Sequence, residues 1–211
     1  ADSEIVVSNA FGLAAMARKA GAEVTDLGVV PDNLDAIRAA IRSAVEMGAD
    51  VLVSSGGASV GDHDLMAPAL KAEGVDLHVH RIAPPPGKPL MFGTRGPMRV
   101  LGLPGNPVSS QVCGLLFLIP LLKSLQGEEA VTPRTLPAKL ARALPANDVR
   151  KDFMRARLIR DDAGNLLAEP FPSQDSAMLS ILAAADCLLV RPAHAPAAEA
   201  GAPCEVILLS E

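Results

Sequence analysis

The chain has 211 residues, 49% of them hydrophobic and 20% charged, with a net charge of −5 and an isoelectric point near 5.4. That balance belongs to a folded protein of one or two domains with a real core, and it speaks against a disordered tail or a broadly basic surface for nucleic acid or anionic membrane. Aromatic residues make up 2%, with no Trp and no Tyr, so the stacking platforms on which single-stranded nucleic acids rest are missing as well.

In chain order, Asn9 reads as the cap of a helix running through Lys19 and stopped by Gly21, and EVTDLGVV (Glu23–Val30) reads as a strand. Pro31, Asp32 and Asn33 turn into a helix whose apolar residues recur at helical spacing until Gly48. Val51–Ser54 is a short apolar run, the pattern of a strand covered on both faces of a parallel sheet. A helix from about Leu65 to Glu73 tolerates Pro68, because a first-turn N–H has no partner to lose. Val75–Ile82 alternates as a strand, PPPGKP breaks it, and two short β segments, LMFG and MRVLGL, lead to PGNPVSS and a helix from Val108 to about Leu125. The longest apolar run, Val112–Leu122, is shorter than the ~20 residues that span a bilayer and contains Pro120, so it reads as a buried helix.

Strands alternating with crossover helices predict a three-layer α/β/α unit with a mostly parallel sheet over residues 1–126, with ligands beyond the carboxyl ends of its strands. From Gly127 the texture changes to a polar, proline-bearing linker, followed by short segments separated by turn residues. These predict a small, mostly β domain over 133–211, with one brief helix at Ser176–Leu182. Cys113, Cys187 and Cys204 match neither a zinc nor a CxxC spacing and read as reduced core residues of a cytoplasmic protein; the first residues do not resemble a signal peptide.

Two turns carry the candidate chemistry. After the strand at Val51, Ser55, Gly56, Gly57, Ser59 and Gly61 combine unhindered backbone with hydroxyl donors, which suits an anion cradle; the alternative is a plain strand-to-helix turn with Asp62 or Asp64 as the cap. The second turn, Pro104-Gly105-Asn106-Pro107, opens the long helix, whose free N–H groups and positive end attract anions, helped by Asn106 or Ser109. Its alternative is a cap at Asn106 with a rigid Pro107 entry. Between them, the prolines around Gly87 hold Lys88 on a stiff loop, where its ammonium either meets a phosphate or is solvated.

SSGGASVGDHD, PPGKPLMFG and GLPGNPVSS, in this order, resemble the molybdopterin-binding domain of the molybdopterin molybdenumtransferase family, to which a domain of gephyrin is related. DFMRARL and SQDSAMLSIL resemble the family's small C-terminal β domain, so the likeness covers essentially the whole chain. The resemblance implies insertion of molybdate into adenylylated molybdopterin with release of AMP, accompanied by Mg2+ or another divalent cation. It implies substrate contacts at both turns, charge neutralisation by Lys88, and water orientation or cation binding by Asp62. Arg155 and Ser176 resemble residues facing the cleft from the C-terminal domain. A homodimer in the full-length protein, and contact with other molybdenum-cofactor biosynthesis proteins, are implied too.

Two positions depart from the family pattern: Val7, where many relatives carry an acid, and Pro85, where they carry a base. The family's N-terminal domains and the first strand of the pterin-binding domain have no counterpart here, so the chain reads as part of a longer protein. The rival readings are a non-catalytic molybdopterin-binding or scaffolding module, and a nucleotide-amide hydrolase on the same sheet architecture.

Overall fold

The computed structural model describes residues 8–56, 65–79 and 90–209. The chain divides into two compact units, Ala1–Val131 and Thr132–Glu211.

The described part of the first unit begins with α1 (Ser8–Lys19), ended by Gly21 at φ +86°. Asn9 is not its cap: it sits inside the first turn, buried, and its amide is turned to other elements. The expected strand at Glu23–Val30 does not form. Asp26 Oδ1 accepts from Gly28 N at 2.8 Å, and Gly28 turns at φ +75°, a local side-chain turn that competes with an extended ladder. α2 (Leu34–Glu46) starts where expected, with Asn33 Oδ1 accepting from Ala36 N, and Gly48 ends it at φ +70°.

β1 (Val51–Ser55), α3 (Met66–Ala72), β2 (Asp76–Val79), β3 (Met91–Arg95) and β4 (Met98–Leu103) follow. The cap position of α3 is Leu65, with no side-chain bond. The four strands form one sheet in the order β1-β4-β3-β2. Among the described strands of this sheet only the β1–β4 pair is parallel; β3–β4 and β2–β3 are antiparallel, which corrects the mostly parallel expectation. For β3–β4 the cause is the two-residue Gly96-Pro97 connection, with Gly96 at φ +54°: a loop that short can join only an antiparallel pair.

Along β4, alternate residues enter two apolar clusters. Met98 and Val100 pack with Ile37 and Ile41 of α2 and with Leu70 of α3. Leu101 and Leu103 pack with Leu13 and Ala17 of α1 and with Leu118 and Leu122. The last two belong to the helical run Pro107–Leu125: α4 (Pro107–Cys113), a π-helical turn (Gly114–Leu118) and α5 (Ile119–Leu125). The π turn follows from Pro120. A proline there cannot donate, and the N–H of Ile119 reaches back five residues to Gly114 O. A Cβ on Gly114 would lie 2.7 Å from Leu13 Cδ2, so the glycine lets α1 pack closely against this turn. The run has the length and mean hydropathy, 1.6, of a bilayer span, but a core helix meets the same test and its buried residues contribute to the second cluster.

The second unit is a closed barrel in the order β5-β7-β6-β8-β9, formed by Leu136–Leu140, Leu166–Pro170, Asp152–Arg160, Cys187–Arg191 and Pro203–Leu208 respectively. Closure leaves no open strand edge. Small residues, Ala156 and Ala168, meet Leu140, Leu189 and Val206 in its core. A short helix, α6 (Leu179–Ala183), interrupts the strands, starting three residues later than expected because residues 173–178 form a bonded loop. Cys187 is buried and Cys113 and Cys204 are half-buried, all three free; burial pushes the Cys187 thiol up to about 12.

Candidate functional site at the strand ends

β1 and β4 run the same way, with Ser55 opposite Leu103, so their carboxyl ends open side by side. Gly56 N donates to Leu103 O at 3.1 Å. Gly56 then turns at φ +87°, and a Cβ on Gly105 would lie 3.2 Å from Gly56 Cα. The two turns therefore touch backbone to backbone, and a side chain at 105 would force them apart.

The side chains beneath this junction come from the start of α1 and from α4. Asn9 is 8% exposed; its Nδ2 donates to Ser55 Oγ at 2.7 Å and to Gly105 O at 2.9 Å. Ser55 Oγ and the fully buried Ser110 Oγ are 3.3 Å apart. Gln111 Nε2 donates to Asn9 O at 3.3 Å, and Gly12 makes room for it, since a Cβ there would collide with the Gln111 amide. Two polar atoms here, Asn9 Oδ1 and Ser54 Oγ, are buried and have no hydrogen-bond partner among the described residues. Buried polar atoms are usually bonded, so two exceptions at one strand end mark it out.

Asn106 stands at the N-cap with extended backbone, but its side chain makes no cap bond; Pro107 holds the first helical position as expected. The first helical bond at this end is Ser110 N to Asn106 O at 2.9 Å, which leaves the N–H groups of Val108 and Ser109 ahead of the ladder. Pro104 is buried, Asn106 and Ser109 are half-buried, and Gly105 is exposed. The junction thus offers neutral hydroxyls, amides and a helix start, a donor set for an anion. It does not suit Mg2+, which takes carboxylate oxygens, and among the described residues no cluster of three or more His, Cys, Asp or Glu side chains is placed to hold a metal.

Gly57, Ser59, Gly61, Asp62, Gly87 and Lys88 lie outside the described residues, as do Val7 and Pro85. Of the remaining candidates, Ser55, Gly56, Pro104, Gly105, Asn106 and Ser109 share one end of the β1–β4 pair. Asn9, Ser110 and Gln111 are residues the sequence reading missed. Ser110 stood in the PGNPVSS motif beside Ser109, and the helical period that sets one serine inward was the available signal.

In the barrel, Arg155 is 2% exposed and does not face solvent. Its Nη1 donates to Asp175 O at 2.9 Å and to Met178 O at 3.4 Å, while its Nε and backbone N both reach Gln174 Oε1. Burial lowers its pKa from the ordinary arginine value, a shift opposed by the Asp175 charge. Arg155 therefore clamps the loop that carries the half-buried Ser176. A pocket of about 260 Å³ in this unit is lined by Asn147, Asp148, Asp152, Met154 and Arg191 among others, away from that loop in sequence.

An α/β unit with two abutting glycine turns at neighbouring parallel strand ends, followed in the chain by a closed β barrel, is the two-unit architecture of this chain. Residues 1–124 match the family described as "Probable molybdopterin binding domain" and residues 137–209 the "MoeA C-terminal region (domain IV)", and the chain belongs to the molybdopterin-binding family. It is 32% identical over 206 residues to the molybdopterin molybdenumtransferase of Bacillus subtilis, covering 97% of this chain and 47% of the relative. It is 39% identical over 127 residues to that of a Nostoc species, covering 59% of this chain and 29% of the relative. Among solved structures it resembles a molybdopterin biosynthesis MoeA protein from Pyrococcus horikoshii, with a TM-score of 0.76 and 30% identity, over 96% of this chain and 48% of the other. The chain spans about half the length of the curated relatives it matches.

Proposed function

We propose that this chain forms the molybdopterin-binding part of an enzyme of molybdenum-cofactor biosynthesis, which inserts molybdate into adenylylated molybdopterin and releases AMP. The observation that carries this reading is the contact of the two turns, Gly56 against Gly105, at the ends of parallel neighbours. Backbone N–H groups and a helix start at one point suit a phosphate. In this reading Ser55, Gly56, Gly57, Ser59 and Gly61 from one side, and Pro104, Gly105, Asn106 and Ser109 from the other, cradle the phosphate-bearing end of the substrate.

Lys88 and Gly87, from the PPGKP motif, would bring a positive charge onto it, and Asp62, from SSGGASVGDHD, would orient a water or hold Mg2+. Arg155 acts indirectly, by fixing the loop that presents Ser176. The same reading includes a helix-covered, three-layer first unit, a cytoplasmic location, a homodimer, and encounters with other proteins of the pathway.

The test gives adenylylated molybdopterin and molybdate to this chain within a polypeptide of the relatives' full length. AMP and metal-loaded cofactor should appear together; binding without AMP release would favour the scaffolding alternative. The isolated chain should bind AMP weakly, at about −4 to −6 kcal/mol, and insert no metal, because closure of the site supplies the orientation and water exclusion that chemistry needs. No AMP binding at several millimolar would remove the site assignment.

A further inference from the structure

We infer that Asn9 is a positioning residue of the strand-end site, an amide clip that sets the spacing of the two turns. This inference rests on the reading of those turns as the ligand site.

Asn9 belongs to neither turn and lies 46 residues before Ser55 and 96 before Gly105, yet one Nδ2 group bonds both. The bond to Gly105 O fixes the assignment of the amide: a carbonyl oxygen accepts only, so the group facing it must be the NH2. Both Nδ2 protons are thereby used. Ser55 Oγ, accepting from Asn9, also bonds Ser110 Oγ at 3.3 Å, with either hydroxyl able to donate, which extends the clip into α4.

The remaining amide oxygen, Oδ1, is buried and without a partner among the described residues, in a side chain more than nine-tenths buried. A residue placed for stability alone would be expected to have both ends of its amide bonded. Here the geometry of the NH2 end prevails over the needs of the oxygen. The backbone of Asn9 is itself held, by Gln111 Nε2, and Gly12 admits the Gln111 side chain. The clip is therefore anchored at its base, and the turns follow its position rather than the reverse.

The test compares Asn9→Ala and Asn9→Asp with Gln126→Ala. Gln126 Nε2 makes an amide-to-carbonyl bond of the same kind, to Ala20 O at 2.8 Å, at the other end of α1. Two readouts are taken: amide hydrogen exchange at Gly56, whose N–H bonds Leu103 O, and AMP affinity by titration calorimetry. Both Asn9 variants should speed Gly56 exchange and weaken AMP binding by about tenfold. Asn9→Asp, which keeps the volume but turns an acceptor towards Gly105 O, should be at least as damaging as Asn9→Ala. Gln126→Ala should speed exchange near Ala22 and leave Gly56 and AMP affinity unchanged.

Unchanged Gly56 exchange in both Asn9 variants would overturn the inference, as would unchanged AMP affinity where the unaltered chain binds. If the unaltered chain binds no AMP at several millimolar, the site assignment fails first and the inference falls with it. Should Asn9→Ala not fold, Asn9→Asp carries the same two readouts.

Discussion

The two units use buried polar groups in opposite ways. In the barrel, buried guanidinium groups are bonded to backbone carbonyls: Arg155 to those of residues 175 and 178, and Arg191 through Nη2 to Pro145 O at 3.0 Å and Pro196 O at 2.8 Å. In the α/β unit lie all three buried side-chain atoms that lack a partner among the described residues, Asn9 Oδ1, Ser54 Oγ and Arg95 Nη1, and two of them adjoin the end of β1. The barrel's buried arginines are committed to holding its loops, whereas the α/β unit leaves polar capacity where its strands end. Ligand sites of α/β sheets belong at such ends, so the contrast matches the proposed reading, in which the α/β unit binds and the barrel supports.

The largest effect should come from breaking the barrel's side of this contrast. Arg155→Leu leaves the carbonyls of residues 175 and 178 without their charged donor, and we expect a loss of about 3 kcal/mol in barrel stability. Arg155→Lys keeps the charge without the planar fork and should lose about half of that. With no Trp or Tyr in the chain, the readout is urea unfolding followed by labelling of Cys187, whose buried thiol reacts only when the barrel opens. An unchanged barrel combined with lost AMP affinity would make Arg155 a ligand contact and dissolve the distinction between the units.

A matched pair of glycines sharpens the same contrast. Gly56 (φ +87°) and Gly201 (φ +83°) have nearly the same backbone, but a Cβ on Gly201 meets open space while one on Gly56 faces Gly105 Cα at 3.7 Å. Ala at either position should cost about 1 kcal/mol from backbone strain. Only Gly56→Ala should also weaken AMP binding, by about tenfold, because it disturbs the contact between turns. Equal affinities in the two variants would show that the turn contact does not matter for binding.

Much of this organisation was legible in the sequence, and the exceptions have physical causes. Helix ends announced themselves through Asn33, Gly21 and Gly48, and the two glycine turns stood out because unhindered backbone is a local property of the chain. The antiparallel pairing of LMFG with MRVLGL is fixed by the short Gly96-Pro97 turn, a pairing that the alternation of strands and helices along the chain does not carry. The strand expected at Glu23–Val30 gives way to a local turn, in which Asp26 Oδ1 accepts from Gly28 N. Asn9 was read through its local role, capping, when its role is set by partners 46 and 96 residues away. Nothing local in the chain distinguishes a cap from a clip.

The α/β unit also has one polar group as fully engaged as any in the barrel, and its effect depends on pH. Glu73 joins α2 to the end of α3: Oε1 accepts from Arg38 Nε and Arg42 Nη1, each at 2.7 Å. The Arg38 bond, with the Arg42 charge, holds its carboxyl below the ordinary value of 4.5, against the opposing effect of burial. A carboxyl depressed in the folded state contributes stability that is present above the unfolded pKa and is lost as pH falls through the folded one. The urea midpoint of the native chain should therefore exceed that of Glu73→Gln at about pH 6, and the gap should narrow as pH drops below about 4. A gap independent of pH would assign the clamp to packing rather than charge.

The smallest effects concern two neighbouring serines, and they ask whether stability and binding separate within the α/β unit as they do between the units. Ser110 is fully buried against Ser55 Oγ, whereas Ser109 is half-buried one residue earlier, with its N–H ahead of the helical ladder. Ser110→Ala removes a hydroxyl partner in the interior and should cost about 1 kcal/mol in the unfolding of the α/β unit. Ser109→Ala should change stability by less than about 0.5 kcal/mol, as surface substitutions do. Its backbone N–H survives the substitution, so AMP affinity should fall by no more than the few-fold due to one hydroxyl bond, about 0.5–1 kcal/mol. Calorimetric titration of both variants, beside urea unfolding, reads the two quantities separately. If Ser109→Ala proves the more destabilising of the two, the inward face of α4 has been assigned to the wrong serine, and the clip running from Asn9 through Ser55 to α4 loses its last link.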